Sequence, residues 1–204
     1  MPLDADFTIA NAQLRLTMSA MLEVLSENSF NEITNQAGMQ YRNNVLPEDN
    51  FASSVSAVEY AKLMEAVERT YSRSGSRILE RIGKAYFQLL LREQPAMFNL
   101  ARTALGFWSE DQRARFVLES LVDMLNRLNP QMDLRLEEEF KKWTLIDYNC
   151  CFCHQRTSQA SVCHFMVGLI KQAVEWARVK DVEVCETSCA AKGDNSCRYL
   201  ISRT

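Results

Sequence analysis

The side chains best equipped for chemistry in this chain of 204 residues are its seven cysteines, all of which fall between Cys150 and Cys197. Sixteen residues near the end, Val182 to Cys197, read VEVCETSCAAKGDNSC: a short strand, a glycine turn and the start of a return strand. A turn that carries thiolates on both arms suits zinc, which takes four soft or borderline ligands in a tetrahedron. Glu186, Cys189 and Cys197 offer three ligands, and Cys163 is the candidate for the fourth. Cys185 and Glu183 compete with Glu186, because strand alternation puts those two together on the opposite face. The competing reading of the whole set is ordinary buried cysteine, which packs as a small hydrophobe.

A second constellation, Cys150-Cys151-Phe152-Cys153-His154, contains C-x-x-C-H, the spacing used to attach c-type haem. That attachment needs an export apparatus, and the start Met1-Pro2-Leu3-Asp4-Ala5-Asp6 is acidic, without the basic start and apolar run of a signal peptide. A thiol pair with redox or second-metal capacity is the next reading. The preferred one is a cysteine-rich strand end packed beside the last helix. His154 and His164 are the two histidines of the chain, so the helical half has no imidazole to serve as acid, base or ligand. The six glycines form no G-x-G-x-x-G, so nothing here binds a nicotinamide or flavin through that fingerprint, and no catalytic residue is assigned.

Hydrophobic content of 47% with 24% charged residues is that of an ordinary globular protein, and a net charge of -3 argues against nucleic acid bound through its phosphates. No apolar run approaches a membrane span. The expected location is the cytoplasm, where clustered thiols serve metal or thiol chemistry rather than disulfides. With no Gly-, Ser- or Pro-rich linker, residues 1–204 are expected to form a single small-molecule-binding domain.

The elements that must position the cysteines follow from periodicity. Leu14, Met18, Met21, Leu22 and Leu25 form one stripe of a helix across Phe7 to Ser26, and a shorter helix around Glu32 to Met39 closes at Gly38. Asn43 to Ser56 reads as loop. Tyr60, Leu63, Met64, Val67 and Tyr71, then Ile78, Leu79, Ile82, Tyr86, Leu89 and Leu90, predict a helical pair broken at Ser74-Gly75-Ser76. Pro95 starts a short helix. Ser109 and Gln112 make a capping box for a helix that Asn129-Pro130 stops. After residue 130 the period falls to two: a hairpin turns near Phe140-Lys141 and runs to Cys150, the last helix spans Ser161 to Arg178, and two strands, Asp181 to Ser188 and Ser196 to Ser202, close the chain. The expected architecture is α+β, with an N-terminal helical layer (1–130) packed on a small, mostly antiparallel four-stranded sheet that carries the last helix and the metal clip (131–204).

Cys163, the run Glu186-Thr187-Ser188-Cys189, Gly193-Asp194 and Cys197 resemble the vinyl-4-reductase domain family, most closely from Trp143 to Ile201. The family includes a protein tied to bacteriochlorophyll synthesis and the sensor domains of phenol- and xylene-responsive regulators, and its fold is similar to that of vesicle-tethering transport-particle subunits. The resemblance implies a closed, structural zinc site at Cys163, Glu186, Cys189 and Cys197, and it decides for Glu186 over its rivals. Cys163 also falls near a predicted helix N-terminus, whose dipole favours a thiolate. The chain departs from the phenol sensors in lacking a helical-region histidine to read a hydroxyl, which argues against phenol as ligand.

Phe87, Met97, Phe98, Phe107, Trp108, Phe116, Trp143 and Tyr148 are the candidates to line an apolar pocket, against the plainer reading that they are core. With the resemblance, they point to a zinc-stabilised binding domain for a hydrophobic small molecule, a tetrapyrrole or chlorophyll-pathway intermediate. Its expected role is that of carrier or photosystem-assembly factor, favoured over stand-alone sensing because no output domain is attached, and it is expected to be a homodimer. Two other classes stay open: a tetrapyrrole vinyl-reductase-type enzyme or subunit that borrows an external reductant, and a ligand-free dimerising interaction module.

Overall fold

The computed structural model describes residues 8–39, 45–93 and 107–203. The chain enters through a short strand, β1 (Thr8–Ala10), and passes directly into α1 (Asn11–Val24), whose Leu14, Met18 and Met21 are buried as their spacing requires. Helix α2 (Glu27–Gln36) is capped by Ser26 and stops at Gly38, which adopts a left-handed φ of 79° that costs glycine nothing. Strand β2 (Ser53–Ser56) pairs antiparallel with β1. This two-stranded ribbon corrects the expectation of helix from Phe7 and loop through Ser56: three and four residues are too few to show a period, and the partners lie far apart in sequence.

Helix α3 (Ala57–Tyr71) begins at a capping box formed by Ser56 and Glu59, and a 3₁₀ turn at Ser72–Ser74 separates it from α4 (Gly75–Glu93). The helix expected at Pro95 lies outside the described residues. Helix α5 (Glu110–Leu128) has the expected Ser109–Gln112 capping box and ends at Asn129. Strands β3 (Leu134–Glu139) and β4 (Lys142–Asp147) form the expected hairpin, α6 (His164–Trp176) follows, and β5 (Val182–Ser188) and β6 (Cys197–Arg203) complete an antiparallel sheet of order β3-β4-β6-β5.

Helix α6 is buried along Phe165, Met166, Leu169, Ile170 and Ala173 and joins the two layers. It crosses α4 backbone to backbone. A Cβ on Gly83 would stand 2.0 Å from the Phe165 carbonyl oxygen, and one on Gly168 would stand 2.0 Å from that of Glu80. No side chain fits at either position, so the crossing requires both glycines. A Lys171–Glu80 ion pair at 2.8 Å runs alongside. Beneath the helix, Trp143, Leu145, Tyr199 and Ile201 give the sheet its apolar inner face.

Candidate metal centre

Six side chains from four places in the chain converge where the end of β4, the start of α6 and the β5–β6 connection meet. Cys163 is the N-cap of α6, so its sulfur stands at the positive end of the helix dipole, as expected. Glu186 lies on β5 just before a register shift between Glu186 and Ser188. Alternation along the strand sets Glu186 on the inward face with buried Val184, while Glu183 and Cys185 stay exposed. Cys189 follows the strand. Its N–H donates to Asp194 Oδ2 at 2.8 Å, and Gly193 (φ 94°) closes the turn that returns to Cys197, the first residue of β6.

The expected ligands Cys163, Glu186, Cys189 and Cys197 come together, each offering an atom within 4.8 Å of the others. Cys150, Cys153, Cys163 and Cys197 form a second set that satisfies the same limit. Sulfur separations are 3.6 Å for Cys150–Cys163, 3.4 Å for Cys153–Cys197, 3.7 Å for Cys163–Cys197 and 4.0 Å for Cys163–Cys189. Four sulfurs bound at about 2.3 Å in a tetrahedron stand about 3.8 Å apart, so the spacing suits a zinc-sized ion. All five sulfurs are buried.

Electrostatics point the same way. Burial and the neighbouring Cys189 push the Glu186 carboxyl up to about 9. Its Oε2 accepts from the Cys163 N–H at 2.9 Å, while its Oε1 is buried with no hydrogen-bond partner. A half-buried acid with one oxygen unmet is costly unless a cation takes it. The neighbouring cysteine sulfurs, Cys163 at 4.0 Å among them, hold Cys189 well below the ordinary thiol value. The Ala190 N–H donates to the Cys197 sulfur at 3.3 Å, the contact a thiolate ligand requires. The donor set fits a divalent metal ion, which Cys163, Glu186, Cys189 and Cys197 could hold.

The sequence reading left Cys150 and Cys153 as packed cysteines at a strand end. They are buried, and they also meet Cys163 and Cys197, which the C-x-x-C spacing signalled without naming the opposite wall. Phe152 anchors this loop, stacked on Phe165 at 4.9 Å and tilted against Tyr60 at 5.6 Å. Arg156 ties the loop to Glu68 on α3 by an ion pair. Asp147, at the end of β4, is held well above the usual carboxylate range by burial and by Cys150. Cys151 lies outside both sets, 3.6 Å from Gln13 Nε2, and neither His154 nor His164 belongs to them.

The expected pocket residues are spread through the fold. Phe87 is buried against Trp176, and Trp143 is buried on the sheet. Trp108 meets Phe116 edge-on at 5.2 Å, Phe107 is 90% exposed, and Tyr148 lies half-exposed under Arg135. Met97 and Phe98 lie outside the described residues. An apolar cavity of about 310 Å³ opens instead between α1, α4 and α5, walled by Leu16, Leu90, Met124, Leu128 and Phe51, with Glu93, Asp123 and Arg127 among its polar lining. A neighbouring cavity of about 530 Å³ shares Phe51 and Arg127 with it. Leu90 falls in the periodic apolar stripe of α4; no local signal sets apart a core residue that borders a void.

The vinyl-4-reductase domain family matches residues 143–203, a window that holds all six converging side chains. Across 53 residues the chain is 38% identical to the uncharacterized protein MJ0745 of Methanocaldococcus jannaschii, and across 86 residues 30% identical to MJ0150 of the same organism. These alignments cover 26% and 42% of this chain, and 29% and 50% of the relatives' lengths. Among solved structures, an H-NOX protein from S. oneidensis in its Fe(II)NO ligation state superposes with a TM-score of 0.62 at 12% identity, covering 96% of this chain and 99% of that one. An oxygen-binding H-NOX domain related to soluble guanylate cyclases gives 0.61 at 11%, covering 95% and 94%. At such identity the likeness is one of fold, and it bears out the α+β class. No described helix is long and apolar enough to cross a membrane.

Proposed function

We propose that this chain is a zinc-stapled binding domain for a hydrophobic small molecule of the tetrapyrrole class, acting as carrier or photosystem-assembly factor rather than as enzyme. The observation that carries the reading is the apolar cavity between α1, α4 and α5, set apart from a thiol-rich centre whose ligands are all supplied by protein. A closed site fastens structure and leaves recognition to the cavity. At about 310 Å³ the cavity stands at the small end of ligand pockets. The adjoining cavity shares the Phe51 wall, and Phe51 is 71% exposed, so movement of one side chain would join the two for a flat macrocycle. Solved structures of similar fold support this class, since one is an H-NOX protein in its Fe(II)NO ligation state and another concerns protein-induced porphyrin distortion. With no histidine in the helical half, the tetrapyrrole would be held by apolar contact rather than by an imidazole on its metal. A homodimer completes the proposal.

Titration with metal-free protoporphyrin, followed by absorbance and by quenching of tryptophan fluorescence, tests it. Saturable binding is expected, weakened at least about tenfold by Met124→Trp, a substitution that fills the cavity. Binding that Met124→Trp leaves unchanged would place the ligand elsewhere. Turnover of a vinyl tetrapyrrole with a nicotinamide reductant would replace the carrier reading with the enzymatic one.

A further inference from the structure

The geometry points to a centre that binds two divalent ions rather than one, with the thiolates of Cys163 and Cys197 bridging them. The inference rests on the zinc staple proposed above and extends it. Cys163 and Cys197 belong to both four-residue sets, whereas Glu186 and Cys189 belong to one and Cys150 and Cys153 to the other. Two tetrahedra with a common edge have two centres, one on each side of that edge. Zinc takes four ligands, so one ion leaves two of the six groups unused.

Each way of placing a single ion leaves a misfit. An ion among Cys150, Cys153, Cys163 and Cys197 abandons Glu186 with its Oε1 buried and unpartnered beside sulfur. An ion at Glu186, Cys189, Cys163 and Cys197 leaves Cys150 and Cys153 as thiols, 3.6 and 3.4 Å from the two shared sulfurs. Those separations are what ligation would give. Two ions engage all six groups: the first held by Glu186 and Cys189, the second by the Cys150–Cys153 knuckle, and both by the common pair. Five thiolates and one carboxylate carry six negative charges against four on the ions, so the second ion also halves the charge excess from four to two if all six groups are ionised. The knuckle is built for the task, with Phe152 stacked into the core and Arg156 paired with Glu68 to hold both sulfurs in place. A cubane iron–sulfur core fits less well. In a cubane core each cysteine binds its own iron, which separates the sulfurs beyond the 3.4–4.0 Å contacts seen here.

The test is metal stoichiometry of the full chain purified from zinc-replete cells, by elemental analysis and native mass spectrometry. Two zinc ions per chain are expected, falling to one in the Cys150→Ser/Cys153→Ser double variant and staying at two in Cys185→Ser. Cobalt titration gives a readout that needs no variant: the second equivalent should couple to the first through the bridging sulfurs and diminish its paramagnetic resonance signal. One zinc in both the parent and the double variant would overturn the second ion and leave the single staple standing. One zinc in the parent and none in the double variant would overturn it by moving a lone ion to the all-sulfur set. No zinc in either would sink the staple and the pair together, and stoichiometric iron with acid-labile sulfide would replace both.

Discussion

The two halves of this molecule are stabilised by different means. From β4 onward, side chains far apart in sequence meet as heteroatoms: Cys150, Cys163 and Cys197 are in sulfur contact, and Glu186 reaches the N–H of Cys163. The helical half has no histidine, and α1, α3 and α4 pack on one another mainly through buried Leu, Met, Ala and aromatic side chains, with one buried Thr17–Tyr60 hydrogen bond at 2.7 Å. One half brings distant side chains together as heteroatom contacts, the other is set by volume. The lesson is that the family match falls on the half whose geometry is set by chemistry, residues 143–203, while the cavity falls in the half whose geometry is set by packing. A directional centre tolerates few substitutions at its ligand positions, whereas an apolar wall can change residue by residue and keep its shape.

The contrast breaks most sharply if the metal is removed. Chelation, or Cys163→Ser, should cost more than about 3 kcal/mol, lowering the thermal midpoint by roughly 6–12 °C or more in a chain of this size. Calorimetry with and without added zinc checks this, and a parent that melts unchanged after complete metal loss would show that packing alone holds both halves.

A smaller loss should come from the crossing that joins them. Gly168→Ala puts a methyl 2.0 Å from the Glu80 carbonyl oxygen, and Gly83→Ala puts one as close to Phe165. Each should destabilise by about 3 kcal/mol through forced separation of α4 and α6. Zinc content should be unchanged in Gly168→Ala, whose clash with Glu80 lies more than a helical turn from Cys163, whereas Gly83→Ala presses on Phe165 beside Cys163 and should lower it. Denaturant unfolding paired with metal analysis distinguishes this from damage to the centre.

A third test uses pH and applies to the metal-free chain. In the metal-free chain the Glu186 carboxyl stands at about 9, against about 4.3 for an unfolded glutamate. A raised carboxyl gives stability that is fully present below the unfolded value and is lost as pH rises through the folded one. Chelated protein should therefore lose stability between about pH 4.5 and 9. Zinc binding needs the ionised carboxylate and thiolates, so zinc affinity should rise over the same interval. Urea midpoints at three pH values would show the slope. Glu186→Gln should reduce it in the chelated protein and leave the share of Asp147, whose carboxyl is raised in the same direction.

Much of this was legible from residues alone, and unevenly so. The Ser109–Gln112 box, the hairpin turn at Phe140-Lys141 and the buried stripes of α1 and α4 follow from local spacing, because caps and amphipathic faces are decided within a few residues. The proposed pocket was read less well. Aromatic side chains were chosen by type, yet Phe107 points to water, and the cavity borders Leu16, Leu90 and Met124, residues that differ from other core positions only in what fails to fill the space beside them. The β1–β2 ribbon was invisible for a related reason: so short a pairing is set by the elements that flank it.

By itself the sequence determined the candidate ligand types, the spacing of Glu186, Cys189 and Cys197, and the helix start that places Cys163, because each of these is fixed by backbone geometry over a turn or two. What only the tertiary structure decided is that the Cys150–Cys153 loop meets the same sulfurs. Antiparallel register pairs Asp147 with Cys197, which sets the loop leaving β4 over the first residue of β6. Register is a property of two strands far apart in the chain, held by hydrogen bonds and a shared apolar face, and no local spacing within the loop can specify it.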